Sequence, residues 1–378
     1  MNEIQIQNAV KHYEELLRGQ AERAEKMSQK IPKEKKDCIT IGIIDGDGIG
    51  PAITQQASRI LESMLKKEAE EGKVLIKQIE GLTIENRLKV GKAVPDDVLA
   101  EIKLCDVLLK GPTTTPSGGT MESANVALRR ELDLYANTRP VCVPDEGIDW
   151  MFFRENTEGE YTLGSKGIEI DDLLTMDFKV TTVAGTRRIA RAAYEYARKN
   201  GKTRVSIVTK SNIMKKTDGM FSKIAHEVAE EYPEITTDEY FIDIMTANLI
   251  KKNIRAGFQV FLLPNLYGDI ITDEAAQIQG GVGTAGSANI GDDYAMFEAI
   301  HGSAIRMIET GRAAYANPDS ILTAAAMLLE HIGYTEKGKK LRKAMALAGE
   351  KAKITGDASG ATCEEYGTEV LNILQELD

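Results

Sequence analysis

The chain has 378 residues, of which 42% are hydrophobic and 28% are charged, and its formal net charge at pH 7 is −11. This composition is that of an ordinary globular protein and excludes a disordered or fibrous chain. The length allows two lobes with a cleft between them. The negative charge would repel phosphate backbones, so a nucleic-acid or acidic-membrane partner would require a strong local basic patch.

One short basic cluster, Lys30 to Lys36, is the only candidate for such a patch. Glu34 interrupts the cluster, and no aromatic residues interleave with it. We therefore interpret it as a solvated linker and expect neither a nucleic-acid nor a membrane partner.

The cysteines and the apolar runs predict a cellular compartment. The four cysteines show no paired spacing such as CxxC, which predicts a reducing compartment and no structural zinc. No apolar run approaches the roughly 20 residues that span a bilayer, and the N-terminus has no signal-type apolar segment. We expect a cytoplasmic protein.

The predicted elements alternate between strands and helices. Continuous apolar runs predict strands, and apolar residues at helical spacing predict helices. The alternation predicts an α/β fold with a largely parallel sheet, whose active residues lie in loops at the strand ends. In chain order the predicted elements are a helix on Val10, Tyr13, Leu16 and Leu17, a strand in CITIGII from Cys38, a helix from Ala52 to Lys67, strands from Val107 to Leu109 and Met151 to Phe153, a helix from Thr186 to Asn200, and strands from Arg204 to Thr209 and Val260 to Leu263.

The segment GDGIGP, Gly46 to Pro51, lies between a predicted strand and a predicted helix, as a dinucleotide-binding glycine fingerprint would. The third glycine of GxGxxG would fall at Pro51, so the segment does not encode a Rossmann pyrophosphate site. Two alternatives stay open, a structural turn with some ligand contact and a phosphate-binding loop.

Polar loops and arginines supply candidate ligand contacts. LKGPTTTP, Leu109 to Pro116, follows a buried strand and would present hydroxyl and backbone N–H groups to a ligand. Arg129, Arg139 and Arg154 carry the forked donors that grip carboxylates. For each arginine alone, a surface ion pair is the alternative.

Asp269 and Asp273 in YGDIITDEAA are spaced i and i+4, so on a helix both carboxylates project from one face. Such a pair without a basic neighbour repels by a few tenths of a kcal/mol unless a cation lies between the two groups. Carboxylate oxygens favour Mg²⁺ or Mn²⁺ over zinc. The alternative is a solvated helix face.

Taken together, these segments resemble the β-decarboxylating dehydrogenases, which include isocitrate, isopropylmalate, homoisocitrate and tartrate dehydrogenases. The resemblance runs from about Ile39 to the C-terminus, and residues 1–36 lie outside it. It depends on the order of the motifs GDGIGP, LLKGPTTTP, SANVALRRELDLYANTRP, FRENTEGEY, TKSNIM, LYGDIITDEAAQIQGGVGTAGSANIG, FEAIHGSA and ANP.

The resemblance implies a two-lobed α/β fold like that of isocitrate/isopropylmalate dehydrogenases, with a non-Rossmann dinucleotide site. Residues 1–37 would form an N-terminal helical extension. Residues 38–134 plus 283–378 would form a large coenzyme-binding domain, and residues 135–282 a small domain with the dimer interface and clasp. The substrate would lie between the lobes of a homodimer with shared active sites, and a higher oligomer stays open.

The resemblance also implies roles for individual residues. Lys210 and Asp243 would come from the second chain of the dimer, and Tyr161 and Lys210 would act as the acid–base pair. The implied positions are Thr115, Ser123, Asn125, Arg129, Arg139, Arg154 and Asn212 for substrate, Asp243, Asp269 and Asp273 for Mg²⁺ or Mn²⁺, and Thr115, His301, Gly302, Ser303, Ala304, Arg306, Asn317 and Asp357 for the coenzyme.

Residues that differ between branches of the family predict the substrate and the coenzyme. Ser123 and Asn125 form the polar pair that the isocitrate branch uses, whereas the isopropylmalate branch has apolar residues there. Homoisocitrate, isopropylmalate and tartrate stay as alternatives, as does a non-catalytic regulatory subunit of isocitrate dehydrogenase. Arg306 would suit the 2′-phosphate of NADP, but Gly356 and Gly360 replace two phosphate contacts of the NADP pattern, which favours NAD over NADP.

Overall fold

The computed structural model describes residues 3–28, 37–116, 121–164, 166–171, 173–281 and 285–377. The described residues divide into two compact units. The first unit takes its residues from 3–28, 135–137 and 142–274, and the second from 37–134, 138–141 and 275–377. The predicted basic linker, Lys30 to Lys36, lies outside the described residues.

Helices and strands alternate along the described residues, which confirms the α/β prediction. Short 3₁₀ turns lie at Pro144–Glu146 and Ala313–Tyr315. The strands are β1 (Ile39–Ile44), β2 (Val74–Gln78), β3 (Val107–Lys110), β4 (Ala136–Val143), β5 (Ile148–Glu155), β6 (Ile168–Ile170), β7 (Leu174–Met176), β8 (Arg204–Thr209), β9 (Thr236–Phe241), β10 (Val260–Leu263), β11 (Gly286–Ile290) and β12 (Ala295–Ala299). The helices are α1 (Glu3–Ser28), α2 (Gly50–Met64), α3 (Lys66–Glu70), α4 (Ile84–Val90), α5 (Asp96–Ile102), α6 (Ala124–Glu131), α7 (Val183–Lys199), α8 (Thr217–Ala229), α9 (Ile242–Leu249), α10 (Lys252–Arg255), α11 (Asn265–Gln279), α12 (Ile305–Glu309), α13 (Asp319–His331), α14 (Thr335–Lys351) and α15 (Cys363–Glu376).

In the second unit the strands follow the order β2-β1-β3-β12-β11. The pairings of β1 with β2, β1 with β3 and β3 with β12 are parallel, and that of β11 with β12 is antiparallel. Every residue of the inner strands β3 and β12 is buried, and all of them except Lys110 and Glu298 are apolar, because helices cover both faces of a parallel sheet. α13 lies close to β11, since a Cβ added at Gly286 would meet the Ala324 amide nitrogen at 2.7 Å.

In the first unit the strands follow the order β5-β10-β8-β9, and all three pairings are parallel. Every residue of β10 is buried, as its continuous apolar sequence predicts. Phe152 of β5 stacks on Phe261 of β10 with ring centroids 4.3 Å apart, and Trp150 meets Phe261 edge-on. Because β5, β8, β9 and β10 run parallel, their carboxyl ends lie at one edge.

The predicted N-terminal helix is confirmed and belongs to the first unit. Tyr13 packs against Phe178 with ring centroids 5.4 Å apart, and His12 Nε2 is 3.0 Å from the carbonyl oxygen of Lys166. Val10 and Leu17 are more than half exposed. The apolar stripe that predicts α1 is therefore buried only in part.

The GDGIGP segment forms a turn between β1 and α2. Gly46 and Gly48 have positive φ angles of 72° and 62°, and a Cβ at Gly48 would come within 2.0 Å of the Ser303 carbonyl oxygen. The carboxylate of Asp47 accepts hydrogen bonds from the amides of Ile84 and Thr114, each at 2.7 Å. These contacts account for the segment as a structural turn.

Candidate functional site

Arg154 and α11 meet at the end of two neighbouring strands of the first unit. Arg154 is the penultimate residue of β5, and α11 begins at Asn265 directly after β10. The buried guanidinium donates from Nε and Nη2 to Asn265 Oδ1, at 2.9 and 2.6 Å. A Cβ at Gly268 would lie 2.7 Å from Arg154 Cβ, so the glycine lets the arginine pass along the helix.

Asp269 binds two of the predicted site residues at once. Arg154 Nη1 donates to Asp269 Oδ1, and Tyr161 Oη donates to Asp269 Oδ2 at 2.6 Å. The Arg154 guanidinium also lies over the Tyr161 ring, 5.2 Å from its centroid. The structure thus brings together Arg154, Tyr161 and Asp269. The expectation that Asp269 has no basic neighbour is wrong. Arg154, which lies on a strand 115 residues away in sequence, contacts it directly.

Asp269 and Asp273 both lie on α11, as their spacing predicts. Asp273 is exposed and the side chain of Asp269 is 37% exposed, so both carboxylates are open to solvent. Over the described ranges, no three His, Cys, Asp or Glu side chains form a group that could hold a metal ion. Two oxygen donors from one helix fit a hard cation whose remaining ligands come from elsewhere.

Lys210 and Asp243 form a separate pair at the same edge of the first unit's sheet. Lys210 follows β8, and Asp243 lies in the first turn of α9 after β9. Lys210 Nζ is 2.8 Å from Asp243 Oδ1, and its hydrogen bond and charge hold the pKa of Asp243 below its usual value. Asn212, also exposed, lies two residues beyond Lys210.

In the second unit, the guanidinium of Arg129 belongs to a buried cluster of charged side chains. Arg129 Nη2 of α6 is 3.0 Å from Glu298 Oε1 of β12, and Lys110 Nζ of β3 is 3.2 Å from Glu298 Oε2. Asn289 Nδ2 of β11 donates to Glu298 Oε1 at 2.8 Å. Within the part of the chain that the structure describes, the buried Nε of Arg129 has no hydrogen-bond partner. This N–H group can therefore donate a hydrogen bond to a ligand.

Lys110 and Glu298 were not among the predicted site residues. Both lie in strands whose other residues are apolar, and both are buried. A charged residue inside an apolar strand is the signal that identifies them, because charges are buried only when paired.

The remaining predicted substrate residues lie in the second unit as well. Ser123 is the N-cap of α6, yet its side chain makes no capping hydrogen bond. Asn125 Oδ1 accepts from Thr113 Oγ1 at 3.0 Å. Thr115 is exposed, and Arg139 on β4 is buried. The hydroxyl of Ser123 therefore does not cap α6, and the side chain of Thr115 is accessible to solvent.

The predicted coenzyme residues are spread over several loops of the second unit. His301 Nδ1 is 3.0 Å from the Gly302 carbonyl oxygen, while its buried Nε2 has no hydrogen-bond partner among the described residues. Ser303 Oγ meets Thr114 Oγ1 at 2.8 Å, and Ala304 has a left-handed φ of 48°. An unsatisfied ring nitrogen fits a site that a polar ligand completes.

Three further coenzyme positions lie beyond this turn. Arg306 is exposed on α12. Asn317 Oδ1 accepts from the Asp319 amide at 2.9 Å, and Asp357 accepts from the Ser359 amide at 2.9 Å in an exposed turn. Both side chains are thus already used in local turns.

Two buried carboxylates of the first unit, Glu155 and Glu158, precede Tyr161 by six and three residues and were not predicted. Burial, then the charge of Glu158, raises the pKa of Glu155 to about 7, although Arg188 opposes the shift. Burial likewise raises the pKa of Glu158. The dense run of charges in FRENTEGEY directly after an apolar strand is the signal that marks them.

A family comparison decides what kind of protein carries these groups. The model of the isocitrate/isopropylmalate dehydrogenases matches residues 40–370. The chain belongs to this family. It is therefore an enzyme, a β-decarboxylating dehydrogenase, and α1 lies outside the matched residues.

Individual relatives carry names with two different substrates. Homoisocitrate dehydrogenase of Methanocaldococcus jannaschii is 35% identical over 89% of this chain and 98% of its own length. Isocitrate dehydrogenase [NAD] subunit 2 of Schizosaccharomyces pombe, a mitochondrial protein, is 36% identical over 85% of this chain and 83% of its own. The isocitrate dehydrogenase [NADP] of Rickettsia prowazekii is 37% identical over 89% and 70%.

Solved structures agree with the fold. The crystal structure of isocitrate dehydrogenase from Methylococcus capsulatus superposes with a TM-score of 0.78 at 33% identity, covering 89% of this chain and 99% of that one. The described residues include no helix with the length and apolarity needed to cross a membrane.

Proposed function

We propose that the chain catalyses the oxidative decarboxylation of isocitrate to 2-oxoglutarate and CO₂, with reduction of NAD in preference to NADP. The observation that carries the proposal is the hydrogen-bonded group of Arg154, Tyr161 and Asp269 in the first unit. It unites a carboxylate-binding cation, a proton donor and a cation-binding oxygen, which are the three functions that this reaction needs.

Asp269 and Asp273, with Asp243 of the partner subunit, would hold Mg²⁺ or Mn²⁺. When bound, such a cation polarises the substrate hydroxyl and stabilises the negative charge that develops on oxygen. The hydroxyl-bearing carbon of the bound acid would lose its hydride to the nicotinamide of a coenzyme held by the second unit. The carboxylate β to the new ketone then leaves as CO₂, and a proton takes its place on carbon.

This chain's own residues bind the acid and supply the proton. Arg129, Arg139 and Arg154 would grip the substrate carboxylates, and the unpartnered Nε of Arg129 supports this role. Tyr161 carries a proton on Oη and is fixed by Asp269 at 2.6 Å, so it is our general acid. Lys210, assisting from the second chain, would restore that proton, and its position at an exposed edge supports sharing between chains.

Ser123 and Asn125 support isocitrate over isopropylmalate. Two polar side chains that bind a third carboxylate would lose their hydrogen-bond partners if isopropylmalate, with its alkyl group, were bound. The resulting ratio of kcat/KM between the two acids can reach about 10⁴. Homoisocitrate is the second candidate substrate, because the M. jannaschii relative bears that name. It has the same three carboxylates, so the polar pair does not discriminate against it.

The alternative of a non-catalytic regulatory subunit has less support. Such subunits lose reactive side chains, whereas Tyr161, Lys210 and the three aspartates are all present here. We further propose a homodimer, with the second unit binding the coenzyme and the first forming the interface. A cytoplasmic location and the preference for NAD, argued from Gly356 and Gly360, stay predictions.

Steady-state kinetics of the purified full chain test the proposal. With Mg²⁺ present, we expect kcat/KM to be highest for isocitrate among isocitrate, homoisocitrate, isopropylmalate and tartrate, and higher with NAD than with NADP. Tyr161→Phe and Lys210→Met should each lower kcat by about 10² or more. Lys223→Met, an exposed lysine of α8, is the matched control and should retain full turnover.

Three outcomes would contradict the proposal. A tenfold preference for another acid would replace isocitrate as substrate. Full activity after exhaustive chelation would remove the metal role, and wild-type rates in Lys210→Met would remove the shared acid–base pair.

A further inference from the structure

α1 contacts the polypeptide that leads into Tyr161, although it lies outside the residues that the family model matches. That polypeptide, residues 155–161, joins β5 to the predicted general acid. Nothing in the family assignment gives α1 a role, so its contacts are the evidence for one.

Arg23 makes the main polar contacts of α1 with this segment. Its Nη2 donates to the Thr157 carbonyl oxygen at 3.1 Å, and its Nη1 is 3.5 Å from Glu158 Oε1. The side chains of Arg23 and Glu158 are 23% and 4% exposed, so the ion pair is largely removed from water. Buried pairs of this kind are weakened strongly when one partner is lost.

A second contact fixes the direction of α1. His12 Nε2 is 3.0 Å from the Lys166 carbonyl oxygen, on the far side of Tyr161 in sequence. His12 and Arg23 are eleven residues apart, which is about three turns of 3.6 residues, so both side chains project from one face of the helix. The same face of α1 therefore contacts the chain before and after Tyr161.

Glu158 is held tightly by its other partners. Its carboxylate accepts from the Thr182 amide at 2.8 Å and from Thr182 Oγ1 at 2.6 Å, at the start of α7. A Cβ at Gly185 would lie 2.5 Å from Glu158 Oε1, so the carboxylate rests directly on that helix end. Glu155 lies nearby, and Arg188 and Arg23 are the cations that face the two carboxylates.

A continuous series of hydrogen bonds leads from this point to the site. The Glu158 carbonyl oxygen accepts from Asn265 Nδ2 at 2.9 Å, and Asn265 Oδ1 in turn accepts from Arg154. Arg154 and Tyr161 both donate to Asp269. A shift of the 155–161 backbone would therefore move Asn265 and Tyr161 together.

We propose that Arg23 of α1 is a positioning residue, which pins residues 157 and 158 and so keeps Tyr161 in place against Asp269. The kinetic part of this inference rests on the proposed function, because it takes Tyr161 as the general acid. The structural part does not, since it concerns the order of the segment in the ligand-free chain.

Hydrogen exchange of the ligand-free full chain tests the structural part. In Arg23→Met we expect the amides of residues 157–163 to exchange about tenfold faster than in the wild type, because the loss of a hydrogen bond to a charged group weakens local structure. Arg23→Lys should restore much of the protection. Arg18→Met is the control, since Arg18 is exposed and pairs with Glu14 of its own helix.

Kinetics with the preferred hydroxy acid test the consequence. Arg23→Met should lower kcat by about tenfold while KM changes less than threefold, because misplacement of a catalytic group affects the transition state more than ground-state binding. Arg23→Lys should recover kcat. In a Tyr161→Phe background, Arg23→Met should have no further effect, since the residue it positions is already removed.

The outcomes separate this inference from the proposed function. Unchanged exchange in Arg23→Met, or equal exchange in Arg23→Met and Arg18→Met, would overturn it whatever the substrate. Faster exchange with additive effects of Arg23→Met and Tyr161→Phe on kcat would also overturn it. If the wild type turns over another acid and not isocitrate, the proposed substrate fails while the role of Arg23 is tested with that acid.

Discussion

Glu298 shows how one buried side chain can organise a predicted ligand contact. Burial alone would raise the pKa of Glu298, but the charges of Lys110 and Arg129 and the hydrogen bonds from Asn289 and Arg129 outweigh it and lower the pKa to about 2. Burial also lowers the pKa of Lys110, against the opposing charge of Glu298. The carboxylate therefore stays charged and fixes the guanidinium of Arg129.

Replacing this carboxylate should be costly. In Glu298→Gln the ammonium of Lys110 remains buried without its counter-charge, so we expect the free energy of unfolding to fall by about 3 kcal/mol. The double variant Lys110→Met with Glu298→Gln should be less destabilised than the single one, because no lysine charge is left uncompensated. Urea denaturation measures both.

A surface pair provides the comparison for this experiment. Lys339 pairs with Glu336 at the exposed start of α14, so Lys339→Met should leave the urea midpoint almost unchanged. Equal losses in Lys339→Met and Glu298→Gln would show that burial of the cluster does not determine its contribution.

At the residue scale, the sequence predicted types of side chain better than their contacts. Asp269 and Asp273 were predicted to share a helix face from their spacing alone, which is a local property. The contact of Arg154 with Asp269 joins residues in different elements, and only the pairing of β5 with β10 brings them together. For the same reason Glu298 could not be connected with Arg129.

Among the elements, α15 has the most complete helix start. Thr362 Oγ1 accepts from the Glu365 amide at 3.2 Å, and Glu365 Oε2 accepts from the Thr362 amide at 2.8 Å. This reciprocal pair satisfies two backbone donors at the helix end. The helix then packs its buried face, which includes Tyr366 and Val370, into the core of the second unit.

Removal of the cap should weaken the second unit without changing its fold. We expect Thr362→Ala to lower the free energy of unfolding by about 1 kcal/mol, because one amide loses its acceptor. Thr335→Ala is the matched control, since Thr335 opens α14 where no side chain caps the helix. Circular dichroism in urea would contradict the assignment if both variants had the same midpoint.

The elements differ in how far their sequences predicted them. The strands from Arg204 to Thr209 and Val260 to Leu263 were predicted to the residue, because β-branched residues predominate in the first and every residue of the second is apolar. β7 was missed since all three of its residues are exposed. β4 was missed because it contains Arg139 and Pro140, which are unusual inside a strand.

On the scale of the whole molecule, the two units differ in the titration of their buried carboxylates. In the second unit the pKa of Glu298 is lowered by folding. Its charged carboxylate therefore stabilises the folded unit above the unfolded-state pKa of about 4.5, and this stabilisation is lost as pH falls toward 2. In the first unit the pKa of Glu155 is raised to about 7. Its protonated carboxyl therefore stabilises the folded unit below pH 4.5, and this stabilisation is lost as pH rises through 7. The stabilities of the units should therefore respond to pH in opposite directions.

The single tryptophan allows this difference to be measured for the first unit. Trp150 is buried on β5, so its fluorescence reports the unfolding of that unit. Between pH 5 and pH 8 we expect the wild type to lose up to about 3 kcal/mol from Glu155, since one pKa unit corresponds to 1.36 kcal/mol. The urea midpoint of Trp150 fluorescence should fall accordingly.

Glu155→Gln should remove most of this dependence while it preserves the local contacts. The amide oxygen of glutamine would replace Oε2, which accepts from the amides of Thr157 and Glu158. The amide nitrogen would replace Oε1 and donate to Thr157 Oγ1, whose hydroxyl can reverse its role. Any dependence of the urea midpoint on pH that remains in this variant would then come from Glu158. An undiminished fall of the midpoint in Glu155→Gln would show that Glu155 is not the titrating group.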